Sequence, residues 1–277
     1  MKRFIKQRII NFRATRTFKA IYKLVIRING LKLDYTSTRA KSPAEEKMAR
    51  IISSLKVLNG PFAGMQYPHF VSHGSAIWPK LLGTYESELT NTILAKKNID
   101  YSAIVDIGCA EGYYAVGLGK MFQTKVYAFD TNKEALRDCE AMAQINDVEI
   151  LFGDFCNKDI LTGLELGNRA LIVIDCEGYE KQLISPEVTR ELRNHDFIIE
   201  CHDLWDIDIT AQMIRSFSET HKTEIVESID DIRKAYRYDI PELRGFSIAD
   251  KLQFVKEGRP TIMTWVIATT KVNIVQA

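Results

Sequence analysis

The stretch "AIVDIGCAEGYYAVGLGKMF", residues 103–122, decides the fold. Its first five residues are rich in β-branched side chains and lack the alternation of a half-exposed strand, as in a strand covered on both faces. Glycines follow at 108 and 112, and residues 111–122 have helical character. A strand that turns through glycines into a helix opens a parallel α/β sheet, whose ligands bind beyond the carboxyl ends of the strands.

The rhythm continues outward from there. "KVYAFD" (125–130) reads as a second strand, and "NKEALRDCEAMAQI" (132–145) as a helix opened by Asn132. "VEILFGD" (148–154), "ALIVID" (170–175) and "DFIIEC" (196–201) read as further strands, with a clear helix at "ITAQMIRSFSET" (209–220). Residues 222–228 and 261–270 look like two more strands around a mixed segment, 229–260, which suits a closing antiparallel strand. The predicted fold is α/β: a Rossmann-like, doubly wound, mostly parallel sheet with an antiparallel last strand, preceded by a basic helical N-terminal extension. Residues 1–84 are read as that arm plus a substrate-side cap and 85–277 as the ligand-binding domain, the boundary being drawn after the turn-rich "NGPFAGMQYPHF" (59–70).

Length and composition allow one large core: 277 residues, 46% hydrophobic. The formal charge of +1 is unevenly spread, since residues 1–41 hold twelve Lys or Arg against one acid, Asp34. Such an arm suits contact with an anionic membrane surface or with nucleic acid. No run of ~18 apolar residues offers a membrane span, and no signal-peptide pattern opens the chain. The five cysteines (109, 139, 156, 176, 201) form neither a CxxC pair nor a zinc spacing, and their odd number fits a reducing, cytoplasmic setting.

Spacing selects the ligand. A dinucleotide fingerprint, GxGxxG, needs glycine at 108, 110 and 113, where this chain has Gly108, Ala110 and Tyr113. The bulky tyrosine opposes the close helix–strand packing of such sites. What fits is Asp-x-Gly-x-Ala-x-Gly: Asp106, Gly108, Ala110 and Gly112. This resembles the first motif of class I S-adenosylmethionine-dependent methyltransferases. Asp130, with Thr131 beside it, ends the second strand, where a carboxylate can accept the hydrogens of both ribose hydroxyls. Asp154 ends the third. The resemblance implies that Asp154 receives the adenine amino group with Phe155 beside the ring, and that S-adenosylmethionine is the cofactor.

After the fourth strand comes "DCEGYE" (175–180), and the fifth strand ends in "IIECHD" (198–203). With "GTYESEL" (83–89), these segments resemble the FkbM-type methyltransferases, which transfer methyl groups to oxygen, often on sugars or polyketide-like products. Strands four and five are neighbours in this fold, so Asp175, Glu200 and His202 are expected to converge near the reactive methyl. His202 is the first choice of general base, because an imidazole titrates near neutrality, with Asp175 or Glu200 orienting it. Extended geometry beyond the strand would put Glu177 on the same side as Asp175. The same three residues, Asp175, Glu200 and His202, could instead hold a divalent metal, a reading not favoured over the base. Glu86 is expected either to reach the cofactor from outside the sheet or to sit at a solvated helix start. Glu180 is expected to be an acid in a first helical turn.

The leading expectation is O-methylation of a saccharide or small natural product. A nucleic-acid acceptor is disfavoured, because the Asn/Asp-Pro-Pro-aromatic run of base methylation is missing and an acid-rich site repels phosphates. A non-catalytic cofactor binder docked on a membrane or partner remains open. Residues 58–86 and 229–260 are expected to choose the acceptor, with the aromatics of "GPFAGMQYPHF" (60–70) able to stack on a sugar or to pack the core.

Overall fold

The computed structural model describes residues 42–272. The basic arm, 1–41, lies outside the described residues. From Lys47 the described chain forms one compact unit, in which Val57, Phe62, Met65, Tyr67, Leu81 and Leu82 are all buried.

Seven strands form one sheet: β1 (Ala103–Ile107), β2 (Lys125–Phe129), β3 (Ile150–Gly153), β4 (Ala170–Ile174), β5 (Asp196–Cys201), β6 (His221–Glu227) and β7 (Thr264–Thr270). Their order is β3-β2-β1-β4-β5-β7-β6. β1 to β5 run parallel, and β7 pairs antiparallel with both β5 and β6. This is the doubly wound arrangement expected, with strand order reversing between β1 and β4. β1, β4 and β5 are buried at every position, as their uninterrupted apolar runs require.

Alternation along these strands feeds two layers. Val105, Ile107, Ile172, Ile174, Phe197 and Ile199 pack with Leu183, Val188, Met213 and Phe217 from helices beyond β4 and β5. On the other face, helix Tyr113–Phe122 crosses β1 and β2 so closely that a Cβ at Gly119 would stand 2.8 Å from Val126. Asn132 caps the next helix, Lys133–Ile145, by accepting from the amides of Glu134 and Ala135. Among the described residues no helix is long and apolar enough to cross a membrane.

Candidate active site

The switch between β1 and β4 opens a cleft, and glycine makes its geometry. Gly108 adopts φ +88°, and a Cβ there would lie 1.7 Å from the carbonyl oxygen of Asp175. Only glycine lets the loop after β1 approach the chain leaving β4 so closely. The loop is also tied sideways, the Gly108 amide donating to the Phe129 carbonyl and the Asp175 amide to that of Ile107, each at 2.8 Å. Gly112, at φ +100°, starts helix Tyr113–Phe122 where a Cβ would press on Cys139 Sγ at 2.6 Å. Ala110 is itself left-handed, at φ +47°.

A cavity of about 320 Å³ follows the carboxyl ends of β1 to β4. Of the residues singled out from sequence, Asp106, Gly108, Ala110, Asp130, Thr131, Asp154, Phe155 and Asp175 line it. Gly112 shapes it from behind, and Glu86 does not line it. Asp106 is buried, and its Oδ2 has no hydrogen-bond partner. Burial pushes its carboxyl up to about 7, against the opposing hydrogen bond from the Ala115 amide. Asp130 spends one acceptor site of each oxygen at home, Oδ2 on the Ala110 amide at 2.9 Å and Oδ1 on the Asn132 amide at 2.7 Å. The remaining lone pairs are free for two hydroxyls. Asp154 stands at the mouth, its side chain 71% exposed and 3.8 Å from Lys133. Phe155 is 49% exposed, and its ring centroid lies 5.3 Å from that of Tyr179, which also lines the cavity.

The opposite wall comes from outside the sheet. His73, Lys80 and Tyr85 line the cavity, and none was legible as a site residue. Their anchor is Glu111, buried within the glycine loop. It accepts from Lys80 Nζ at 2.5 Å, from Ser72 Oγ at 3.0 Å, from the His73 amide at 2.9 Å and from Tyr67 Oη at 3.4 Å. Despite its desolvation, Lys80 and the His73 amide hold Glu111 below the usual carboxylate range. Of the aromatics in 60–70, Phe62 and Tyr67 serve the core: both are buried, and Phe62 packs edge-on against Tyr113 and Tyr114.

Beyond the cavity lie the acids of β4 and β5. Asp175, Glu200 and His202 do converge, one ligand-type atom from each lying within 4.8 Å of the others. The surroundings of His202 differ from those expected. Desolvation opposes its charge, but the hydrogen bond to Glu180 and the fields of Asp175, Glu180 and Glu200 raise it to about 10, which favours its charged form. Its orienting partner is Glu180, at 2.8 Å from Nδ1, rather than Asp175 or Glu200. Glu180 does begin a helix, Glu180–Leu183, but its side chain is fully buried, where Oε1 also accepts from the amides of Cys176 and Gly178.

Glu177 reaches the cluster by a different route from the extended one expected. The chain turns, with φ +55° at Glu177 and +96° at Gly178, and brings Glu177 Oε2 to 3.7 Å from His202 Nε2. Asp175 Oδ1 lies 3.5 Å from the same nitrogen. The Asp175 side chain keeps 37% of its surface open, yet desolvation raises its carboxyl to about 7, with His202 opposing the rise and Glu177 adding to it. Glu86 turns away from the cavity and bonds Arg259 Nη2 at 2.6 Å and the Tyr114 hydroxyl. Arg259, unforeseen in the mixed segment 229–260, also binds Glu200 and Glu257 and closes the cluster from β7's side. Burial raises Glu200, with Asp175 and Glu86 adding to the effect.

A buried aspartate at the other end of the sheet gives the contrast. Asp196, at the start of β5, is fully buried, with Arg169 at 2.9 Å, Lys96 at 3.3 Å, the Tyr101 hydroxyl at 2.5 Å and the Thr270 amide at 3.0 Å. Those partners hold it below its ordinary range in spite of desolvation. Asp106 and Asp175 have weaker compensation, from the Ala115 amide and Lys80 for the first and from His202 for the second, and desolvation prevails at both.

No family model matches the sequence, and no curated protein matches it. Among solved structures the chain is similar to a putative O-methyltransferase from Klebsiella pneumoniae, with 9% identity, 91% of this chain and 97% of that chain covered, and a TM-score of 0.48. It is likewise similar to the O-methyltransferase TomG from Streptomyces achromogenes in complex with SAM (10% identity, 88% and 97% covered, TM-score 0.46). A third is precorrin-6y C5,15-methyltransferase from Geobacter metallireducens (12% identity, 66% and 87% covered, TM-score 0.46). At these identities nothing about activity follows from the likeness.

Proposed function

We propose that this protein is an S-adenosylmethionine-dependent methyltransferase of FkbM type, acting on a hydroxyl of a saccharide or small natural product. One observation carries the reading: four carboxylates line a single cavity at successive strand ends, Asp106, Asp130, Asp154 and Asp175, and Oδ2 of the buried Asp106 has no partner among the described residues. The donor bears a sulfonium and an ammonium against one carboxylate, so an acidic cleft suits its net positive charge.

The residues fit that group. The free acceptor sites of Asp130 face where ribose hydroxyls belong, and the unpartnered Asp106 oxygen can receive an ammonium hydrogen. Phe155 and Tyr179 offer an aromatic wall for adenine. When bound, the donor supplies the methyl group and its leaving group, and the chain supplies alignment and field. Transfer of that methyl to an acceptor oxygen would leave the bonding pair on sulfur and a proton on the oxygen to be removed. The hydroxyl proton goes to Glu177, the exposed carboxylate of the cluster, and on to water. His202, already protonated, holds Asp175 and Glu177 in place.

The test is thermal unfolding of the full chain with S-adenosylmethionine, S-adenosylhomocysteine and NAD in parallel. The first two should raise the melting temperature, and Asp130→Ala should abolish the rise. A shift with NAD alone, or with none of the three, overturns the proposal. Transfer of labelled methyl to hydroxyl-bearing acceptors then tests catalysis.

A further inference from the structure

The tightest part of the cluster has the construction of a cation site. His202 is more than nine-tenths buried, and among the described residues its Nε2 makes no hydrogen bond, although it points at Asp175 Oδ1 and Glu177 Oε2, 3.5 and 3.7 Å away. Among the described residues the Asp175 carboxylate accepts no hydrogen bond either and meets that nitrogen at ion-pair range. Two oxygens set just beyond hydrogen-bond reach of a ring nitrogen leave a gap that none of the three groups fills. On the far side of the ring, Nδ1 meets the buried Glu180 at 2.8 Å. A histidine that is gripped by a carboxylate through one nitrogen and presents the other to oxygen donors is the arrangement that fixes tautomer and direction in metal sites. Arg259 donates to Oε1 of Glu200 and leaves Oε2 without a hydrogen bond.

We infer that Asp175, Glu200 and His202 form a binding site for one divalent cation of the manganese and magnesium class, with Glu177 as a fourth oxygen donor. Two or three carboxylates with a single imidazole favour these ions over softer, thiolate-loving ones. Metal–ligand bonds of ~2.1 Å place ligand atoms ~3.0–4.2 Å apart, so the present spread needs contraction by only a few tenths of an ångström. Binding requires Nε2 to be unprotonated, and that proton is released to solvent as the cation enters. The site stands independently of the methyl donor. Its use rests on the methyltransferase reading: the cation would acidify an acceptor hydroxyl beside the donor, and the proton would pass to solvent.

The experiment titrates Mn²⁺ into the full chain, without methyl donor, and follows loss of the free-ion electron paramagnetic resonance signal. One ion per chain should bind at submillimolar concentration. His202→Gln and Asp175→Asn should each abolish binding, and Glu180→Gln should weaken it about 10–100-fold. Glu165→Gln, an exposed carboxylate beside Lys125 and away from the cavity, should leave it unchanged. Asp175 is partly open to solvent, so its variant keeps the test alive if His202→Gln fails to fold. No binding at millimolar Mn²⁺, or equal binding by wild type and both ligand variants, overturns the proposal. The thermal shift with S-adenosylmethionine, run on the same samples without metal, separates the two readings. If it persists while Mn²⁺ fails, only the cation site falls. If it disappears while Mn²⁺ binds, only the donor falls.

Discussion

Asp106 and Asp196 are both buried strand aspartates, yet one is starved of partners and the other surrounded by them. Asp106 sits at about 7 against an ordinary 3.8, so ionising it costs the folded state. Its contribution is complete below the ordinary value and is lost as pH rises toward 7, with Asp130 and Glu86 adding to the cost and Lys80 opposing it. Asp106→Asn should therefore raise the unligated melting temperature at pH 8, by about 1–3 kcal/mol of stability, with the gain shrinking toward pH 5. The same variant should lose donor binding, which calorimetry will report. Asp130→Asn keeps one acceptor oxygen for the backbone and should fold normally while binding the donor about 10–100-fold more weakly, the loss of one or two charge-assisted hydrogen bonds.

At the scale of elements, the turn after β1 is the least forgiving. Gly108→Ala would drive a Cβ into the Asp175 carbonyl, whereas Gly74→Ala, also at positive φ, meets nothing within 4 Å. The first should cost several kcal/mol and forfeit ligand binding, and the second about 1 kcal/mol, as measured by urea unfolding. The strands were legible because β1, β4 and β5 are buried on both faces and so must be written in apolar runs. Expected and observed limits coincide at 103–107 and 196–201. The acids ending those strands were legible for the same reason, since the sheet dictates where a strand end points. What stayed hidden was pairing at long range. Glu111 finds Lys80, Glu180 finds His202, and Arg259 finds Glu86 and Glu200 across folds of the chain that no local period records. The fields that raise His202 were hidden for that reason, because they come from residues whose distances the sequence does not state.

Over the whole molecule, acid should be felt first at β5 and β6, not at the cleft. His195 accepts the Ala170 amide through Nδ1 at 3.0 Å, and desolvation, with His221 nearby, holds it down at about 4. Between pH 6.5 and 4 the unfolded chain takes up a proton that the folded chain refuses, so stability falls with pH by about 1–3 kcal/mol across that window. His195→Gln should flatten the fall in denaturant midpoints. The basic segment 1–41 lies outside the described residues. Its removal should leave donor binding intact and abolish any salt-sensitive attachment to anionic vesicles.

The single carboxylate of Glu111 fastens the segment from Tyr67 to Lys80 against the inner end of the cavity, while Phe155 and Asp154 stand in water at the other. Entry and exit are thereby given a direction. A donor analogue carrying a bulky tag on its adenine edge should project through the open mouth and still be accepted. The same tag on the amino-acid end would have to push back a wall whose retreat strands a buried lysine–glutamate pair, and it should be refused.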